Sequence, residues 1–161
     1  MTVIMRDFRK GNTVPKICVD ADACPVKEEA YRVGQRHGLQ VYVVANARMR
    51  MPDTDGIELV VVDDDFDAAD NWIVEQVQAK DIVITEDIPS AARAIAKEAR
   101  VVTSKGREFT PESMGDVLAT RDLMADLREH SLITGGPAPF AKRDRSNFLQ
   151  RLDAMVVAVL R

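Results

Sequence analysis

Acidic side chains gather in this chain wherever an apolar run ends. "VDADACP" (19–25) sets Asp20 and Asp22 one residue apart at the close of a buried-looking stretch. "VVVDDDFDAAD" (60–70) follows an apolar run with Asp63, Asp64 and Asp65, then Asp67 and Asp70. "DIVITEDIP" (81–89) repeats the arrangement with Glu86 and Asp87. Carboxylates that converge cannot all stay ionised unaided, because like charges at short range raise one another's pKa. A hard divalent cation such as Mg²⁺ or Mn²⁺ resolves that repulsion, since such ions prefer carboxylate oxygens. Held this way, the ion polarises phosphate oxygens and lowers the pKa of bound water. The chemistry these residue types could do is therefore metal-assisted phosphoryl hydrolysis.

The elements that must position them are legible as alternating strands and helices. "KICVD" (16–20), "LQVYVVAN" (39–46), "IELVVV" (57–62), "DIVIT" (81–85) and "RVVT" (100–103) read as five strands. They are continuous apolar runs rather than period-two patterns, as in strands of a mostly parallel sheet covered on both faces. Helices are expected after Pro25 up to a Gly38 cap, over 66–80, over 90–99, over 110–130 with a Thr110 cap, and from about Ser146 to the end. The expected fold is a three-layer α/β/α domain over residues 15–161, with the C-terminal helices packed on it and residues 1–14 as a flexible leader. Ligands of such sheets bind outside the carboxyl ends of the strands, where the acids fall. Asp67 and Asp70, three apart, share one helical face. Each aspartate taken singly has a plainer role, as a cap favourable to the helix dipole. It is their recurrence at three strand ends that points to a shared site.

"VDADACP", "VVAN", "FDAADNWI", "DIVITEDIP", "SKGREFTPE" and "LITGGP" followed by "RDRSNFLQRL" resemble the YaiI/YqxD family of uncharacterised bacterial proteins, in order from about residue 16 to 152. That family is grouped with PIN-like domains, whose α/β/α fold assembles acids around Mg²⁺ or Mn²⁺ and which often cleave RNA. The resemblance implies that Asp20, Asp70 and Asp87 are metal ligands and that Asp22 and Asp67 complete the catalytic set. Asn46 and Asn71 belong to family motifs and would orient ligand or substrate, or else bond locally to backbone. Glu86 departs from the family pattern, in which a small residue is common, and stays outside the set.

Cations for a phosphate backbone are offered by Arg48 and Arg50 after the second strand, Lys105 and Arg107 after the fifth, and the Lys142, Arg143, Arg145 cluster. "TGGP" (134–137) reads as a turn; it is not a P-loop, since no lysine follows at the required spacing. His37 and His130 sit at helix ends, where they would serve the last carbonyls. At 161 residues, 46% hydrophobic and 30% charged, the chain has the profile of a soluble globular protein. A net charge of −4 argues against a broadly basic nucleic-acid coat, and 5% aromatic residues are too few for a base-stacking platform. No apolar run reaches the about 20 residues of a membrane span, and the first residues hold no apolar core of a secretory signal. Cys18 and Cys24 read as a reduced, unpaired couple, which with the missing signal places the protein in the cytoplasm.

Three functions fit this reading. The first is a Mg²⁺- or Mn²⁺-dependent phosphodiesterase, most plausibly a ribonuclease, with RNA or another nucleic acid as partner. The second is a non-catalytic metal- or nucleic-acid-binding PIN-like module. The third is a haloacid-dehalogenase-type phosphatase using Asp20 as nucleophile and Asp22 as acid/base; Cys24 stands where that class has Thr or Val, and its lysine motif is missing.

Overall fold

The computed structural model describes residues 14–65, 67–129 and 139–161. The leader up to residue 13, His130 and the "TGGP" turn lie outside the described residues. Six strands form one sheet: β1 (Ile17–Asp20), β2 (Val41–Ala45), β3 (Ile57–Val61), β4 (Ile82–Ile84), β5 (Arg100–Val102) and β6 (Glu108–Phe109). Their order across the sheet is β3-β2-β1-β4-β5-β6. All pairings are parallel except the last, β5 with β6. The helices among the described residues are α1 (Lys27–His37), α2 (Ala68–Gln76), α3 (Ile88–Ala96), α4 (Pro111–Glu129) and α5 (Lys142–Leu160).

Two apolar clusters sandwich the sheet and make the three layers. On one face α1 and α5 bury Val33, Phe148, Leu152 and Met155 against Ile17, Val19, Val41 and Val43. On the other, α2, α3 and α4 bury Ile73, Ala91, Ala94 and Val117 against Cys18, Val44, Val60 and Val83. Side chains alternate across a strand, so Asp20 faces the same side as Cys18, toward α2 and α3. Apolar positions filled on both faces explain why the strands read as unbroken hydrophobic runs. Among the described residues no helix is long and apolar enough to cross a membrane.

Local chemistry sets the element ends. Gly38 closes α1 in the left-handed region at φ 69°, as its place in the sequence predicts. Gly34 is required for packing: a Cβ there would lie 2.4 Å from the Val41 side chain. Thr110 and Ser113 exchange bonds at the start of α4, at 3.0 and 3.1 Å. Several elements differ from the sequence reading: α2 stops at Gln76 and α3 at Ala96, short of the expected 80 and 99. Helix α3 begins at Ile88 rather than Ser90, because Asp87 caps it. Helix α5 begins at Lys142 rather than near Ser146, with Asp144 accepting from the Ala141 N–H at 2.7 Å. Strand β6 was hidden because two residues carry no periodicity; the Arg100–Glu108 fork, at 2.7 and 3.0 Å, pins it to β5.

The β1–β4 pairing is locked at its amino edge by a buried ion pair. Asp81 is 3% exposed and accepts from the Lys16 backbone N–H at 3.0 Å, from Lys16 Nζ at 2.5 Å and from the Gln78 N–H at 2.8 Å. Removing the acceptor would deprive the Lys16 and Gln78 backbone N–H groups of their bonds and break a buried ion pair. Asp81→Ala is expected to lower unfolding free energy by about 3 kcal/mol, read as a shift of the urea midpoint at unchanged slope.

Candidate active site

The order of the sheet reverses between β1 and β4, and such a switch point opens a crevice at the carboxyl ends of the two strands. Asp20, the last residue of β1, lies in that crevice and is 9% exposed. Thr85, just past β4, bridges the gap. Its hydroxyl donates to Asp20 Oδ2 at 3.3 Å and accepts from the Asp87 backbone N–H at 3.1 Å. Asp87 is half-buried and caps α3, its Oδ2 taking the Ser90 N–H at 2.9 Å and the Ser90 hydroxyl at 2.5 Å.

Helix α2 brings the third acid. Burial pushes the Asp70 carboxyl up to about 6, and the charges of Asp20 and Asp87 add to the shift. The Asp20 carboxyl is raised too, first by burial, with the Asp22 backbone N–H and the Thr85 hydroxyl working in the opposite direction. A hydrogen bond between Asp70 and Asp20 raises the former and lowers the latter. The two carboxyls therefore titrate as a pair. Among the described residues, the largest influences on the two acids are burial, neighbouring acids and hydrogen bonds.

The other predicted residues fall at varied distances from this centre. Asp22 is exposed on a 3-10 turn (Ala21–Ala23), close enough for its charge to act on Asp20. Asp67 stands at the N-cap of α2, exposed, with no capping bond, and its charge is not among those acting on Asp70. Asn46 follows β2 on the Asp20 side; its Nδ2 donates to the Asp65 carbonyl at 3.2 Å, and its buried Oδ1 has no hydrogen-bond partner among the described residues. Asn71 ties α2 to α3, accepting from Arg93 at 2.8 Å. Arg48 and Arg50 are exposed in the loop after β2. Arg50 borders a groove of about 600 Å³ with Lys27, Tyr31, Met49 and Met51. Lys105 and Arg107 lie against α5 rather than against the acids. Arg145 is structural, pairing with Glu29 of α1 at 3.0 Å. His37 likewise serves packing: it meets Asp153 of α5 at 2.8 Å, not the helix's own carbonyls.

Sequence reading missed Thr85, Ser90 and the Glu86–Ser104 contact. The first two carried a signal, since a hydroxyl two residues before Asp87 and another three after it outline a capping arrangement. Glu86 accepts from the Ser104 N–H at 2.7 Å and from the Ser104 hydroxyl, tying the β4 end to the β5–β6 turn. Nothing local in the sequence announces that pairing.

The donors are hard oxygens throughout: three carboxylates, two hydroxyls and the orphaned Asn46 carbonyl oxygen. In type they fit Mg²⁺ or Mn²⁺. As placed, the acids are a contacting pair with a third alongside; among the described residues no three His, Cys, Asp or Glu side chains are drawn close enough to hold a metal ion.

Comparison with known proteins follows the same segments. The family model described as "Uncharacterized BCR, YaiI/YqxD family" matches residues 18–158. The chain belongs to the YaiI/YqxD family. A UPF0178 protein of Sphingopyxis alaskensis is 55% identical over 150 residues, covering 92% of this chain and 97% of its own. Another, of Rhodospirillum centenum, is 53% identical over 149 residues, covering 90% and 97%. No solved structure matches the chain significantly.

The charge arrangement predicts a pH effect on the metal-free protein. Asp70 has a folded pKa above its unfolded one, so its contribution to stability is full below about pH 4 and is lost as pH rises through about 6. Asp70→Asn abolishes that loss. In EDTA the variant is expected to melt higher than the natural chain at pH 8, by roughly 1 kcal/mol after discounting for solvent screening. The difference should vanish by pH 4 in paired thermal melts.

Proposed function

We propose that this protein is a Mg²⁺- or Mn²⁺-dependent phosphodiesterase acting on RNA. One observation carries the reading: burial raises the pKa of both Asp20 and Asp70, which come from separate elements, and Thr85 ties Asp20 to the backbone of Asp87, whose charge acts on Asp70. A structural role would be served better by an apolar or neutral side chain, because desolvated like charges destabilise the fold. Perturbed acids in a crevice are the ordinary mark of a functional site. The resemblance to PIN-like domains supports the same assignment.

Asp20, Asp70 and Asp87 would hold the cation, which supplies Lewis-acid stabilisation of the phosphoryl oxygens and an acidified water. Thr85 fixes the Asp20 carboxylate and the Asp87 backbone together, so two ligands share one support. Ser90 holds the Asp87 rotamer. Asp22, exposed and near enough for its charge to act on Asp20, would take up a proton from water at the site. Asn46 Oδ1 has a lone pair to offer a ligand hydroxyl or bound water. Arg48 and Arg50, exposed after β2, would meet the phosphates of the strand. The reduced state of Cys18 and Cys24, both buried and free with thiols pushed up to about 12 and about 11, supports a cytoplasmic setting.

Purified protein with Mn²⁺ is expected to cleave single-stranded or structured RNA. Asp20→Asn and Asp87→Asn should each reduce the rate by about 100-fold or more. Both asparagines keep an oxygen acceptor for Thr85 and Ser90, so folding is preserved. Cleavage surviving both substitutions would assign the activity to a contaminant. Mn²⁺ binding without turnover of any RNA or DNA would leave a binding module, and a trapped acyl-phosphate on Asp20 would move the protein to the phosphatase class.

A further inference from the structure

On the α5 side of the sheet a second polar site is built, from residues that the acids do not touch. The turn joining β5 to β6 and the exposed face of α5 enclose a cleft of about 450 Å³. Its walls are Lys105, Gly106 and Arg107 from the turn, and Asn147, Gln150, Arg151 and Ala154 from the helix. The four helical residues follow i, i+3, i+4, i+7 spacing and so share one face. Ala154 leaves the room; the others supply amide and guanidinium donors. Among the described residues no acid borders the cleft. The acids adjoining it in sequence are engaged elsewhere: Glu108 by Arg100, and Asp153 by His37 and Arg36 of α1.

The cleft is held in shape by backbone contacts. Thr103 N–H donates to the Arg107 carbonyl at 2.9 Å, Gly106 N–H to the Thr103 carbonyl at 3.0 Å, and Arg107 N–H to Thr103 Oγ1 at 3.2 Å. Gly106 takes φ 86°, and a Cβ on it would stand 2.7 Å from the carbonyl carbon and oxygen of Asn147. The turn is thus seated directly on the helix backbone, which only glycine permits. The Arg107 guanidinium lies 5.3 Å from the Phe109 ring centre, a stacking that orients it without consuming its donors. Among the described residues neither Arg107 nor Arg151 is paired with a carboxylate.

We propose that this cleft is a phosphate-binding site, in which Arg107 and Arg151 clamp the oxygens of a phosphate ester and Asn147 and Gln150 complete the donor set. Two guanidinium groups lining one space, that of Arg107 oriented by Phe109, match a tetrahedral oxyanion in charge and in the fork geometry of their donors. The group bound is a phosphate, carried either by a free nucleotide or by a nucleic-acid strand. The site stands apart from the carboxylate crevice and does not depend on its chemistry.

The test titrates the full chain with inorganic phosphate, a nucleoside 5′-monophosphate and a single-stranded RNA lacking terminal phosphate, by calorimetry and fluorescence anisotropy in EDTA. Saturable binding of at least one probe is expected. Arg151→Gln, at an exposed helix position, should weaken it roughly tenfold, and Arg107→Gln with Arg151→Gln together roughly a hundredfold. Arg32→Gln, on exposed α1 surface, should change nothing. Preference for the small probes identifies a free phosphate. Preference for RNA, with the salt dependence falling by about two in slope in the double variant, identifies a strand backbone. Asp20→Asn and Asp87→Asn should bind as the natural chain does, which separates this site from the metal-dependent reading. Failure of all three probes to saturate, or equal affinity in the double variant, overturns the proposal.

Discussion

The pairing of β1 with β4 is the constraint on which the architecture rests. These strands lie 65 positions apart in the chain, yet one register fixes both of their ends. At the amino edge it sets Lys16 against Asp81 in a buried, fully bonded contact. At the carboxyl edge the same register puts Asp20 beside Thr85. A slip of one residue would turn Asp20 into the other apolar layer and expose Ile17 and Val19 to the wrong face. The ion pair therefore acts at a distance on the crevice, by denying the sheet its alternative registers. The closure of a long loop between the two strands makes this pairing late and costly to form.

From that pairing follows a division of charge between the layers. The face covered by α2 and α3 receives acids at the switch point, where burial raises the pKa of Asp20 and Asp70 and neighbouring charges add to both shifts. The face covered by α1 and α5 receives guanidinium groups at the β5–β6 turn. Glu86, bonded to Ser104, links the end of β4 to the start of that turn, so the two regions share a structural support without sharing residues. A chain with net charge −4 can hold a cationic cleft because opposite charges are kept on separate surfaces.

Hydroxyl groups make the acid crevice tolerable. Thr85 and Ser90 each satisfy a carboxylate oxygen that would otherwise be buried beside a like charge. The remaining repulsion is carried by a proton on Asp70 below about pH 6. Asp70 is the member on which the charges of both other acids act. Asp67, on the same helix and read as its companion, is exposed one turn earlier, where the helix start meets solvent.

The sequence by itself determined the layer architecture, the strand and helix succession, and the acids at the ends of β1 and β4, because apolar runs, Gly38, Thr110 and aspartates at strand ends are local signals. It also carried the family, through ordered motifs that span most of the chain. Tertiary structure alone decided which acids meet. Asp20 and Asp70 come into contact, with Asp87 alongside, since β4 pairs beside β1 and α2 packs on the same face of the sheet, a choice made by side-chain fit across two sheet faces. The partners of Glu86, His37 and Arg145, the short β6 and the cleft beneath Gly106 were equally beyond local reading: each depends on residues distant in sequence whose meeting is enforced by packing, not by spacing.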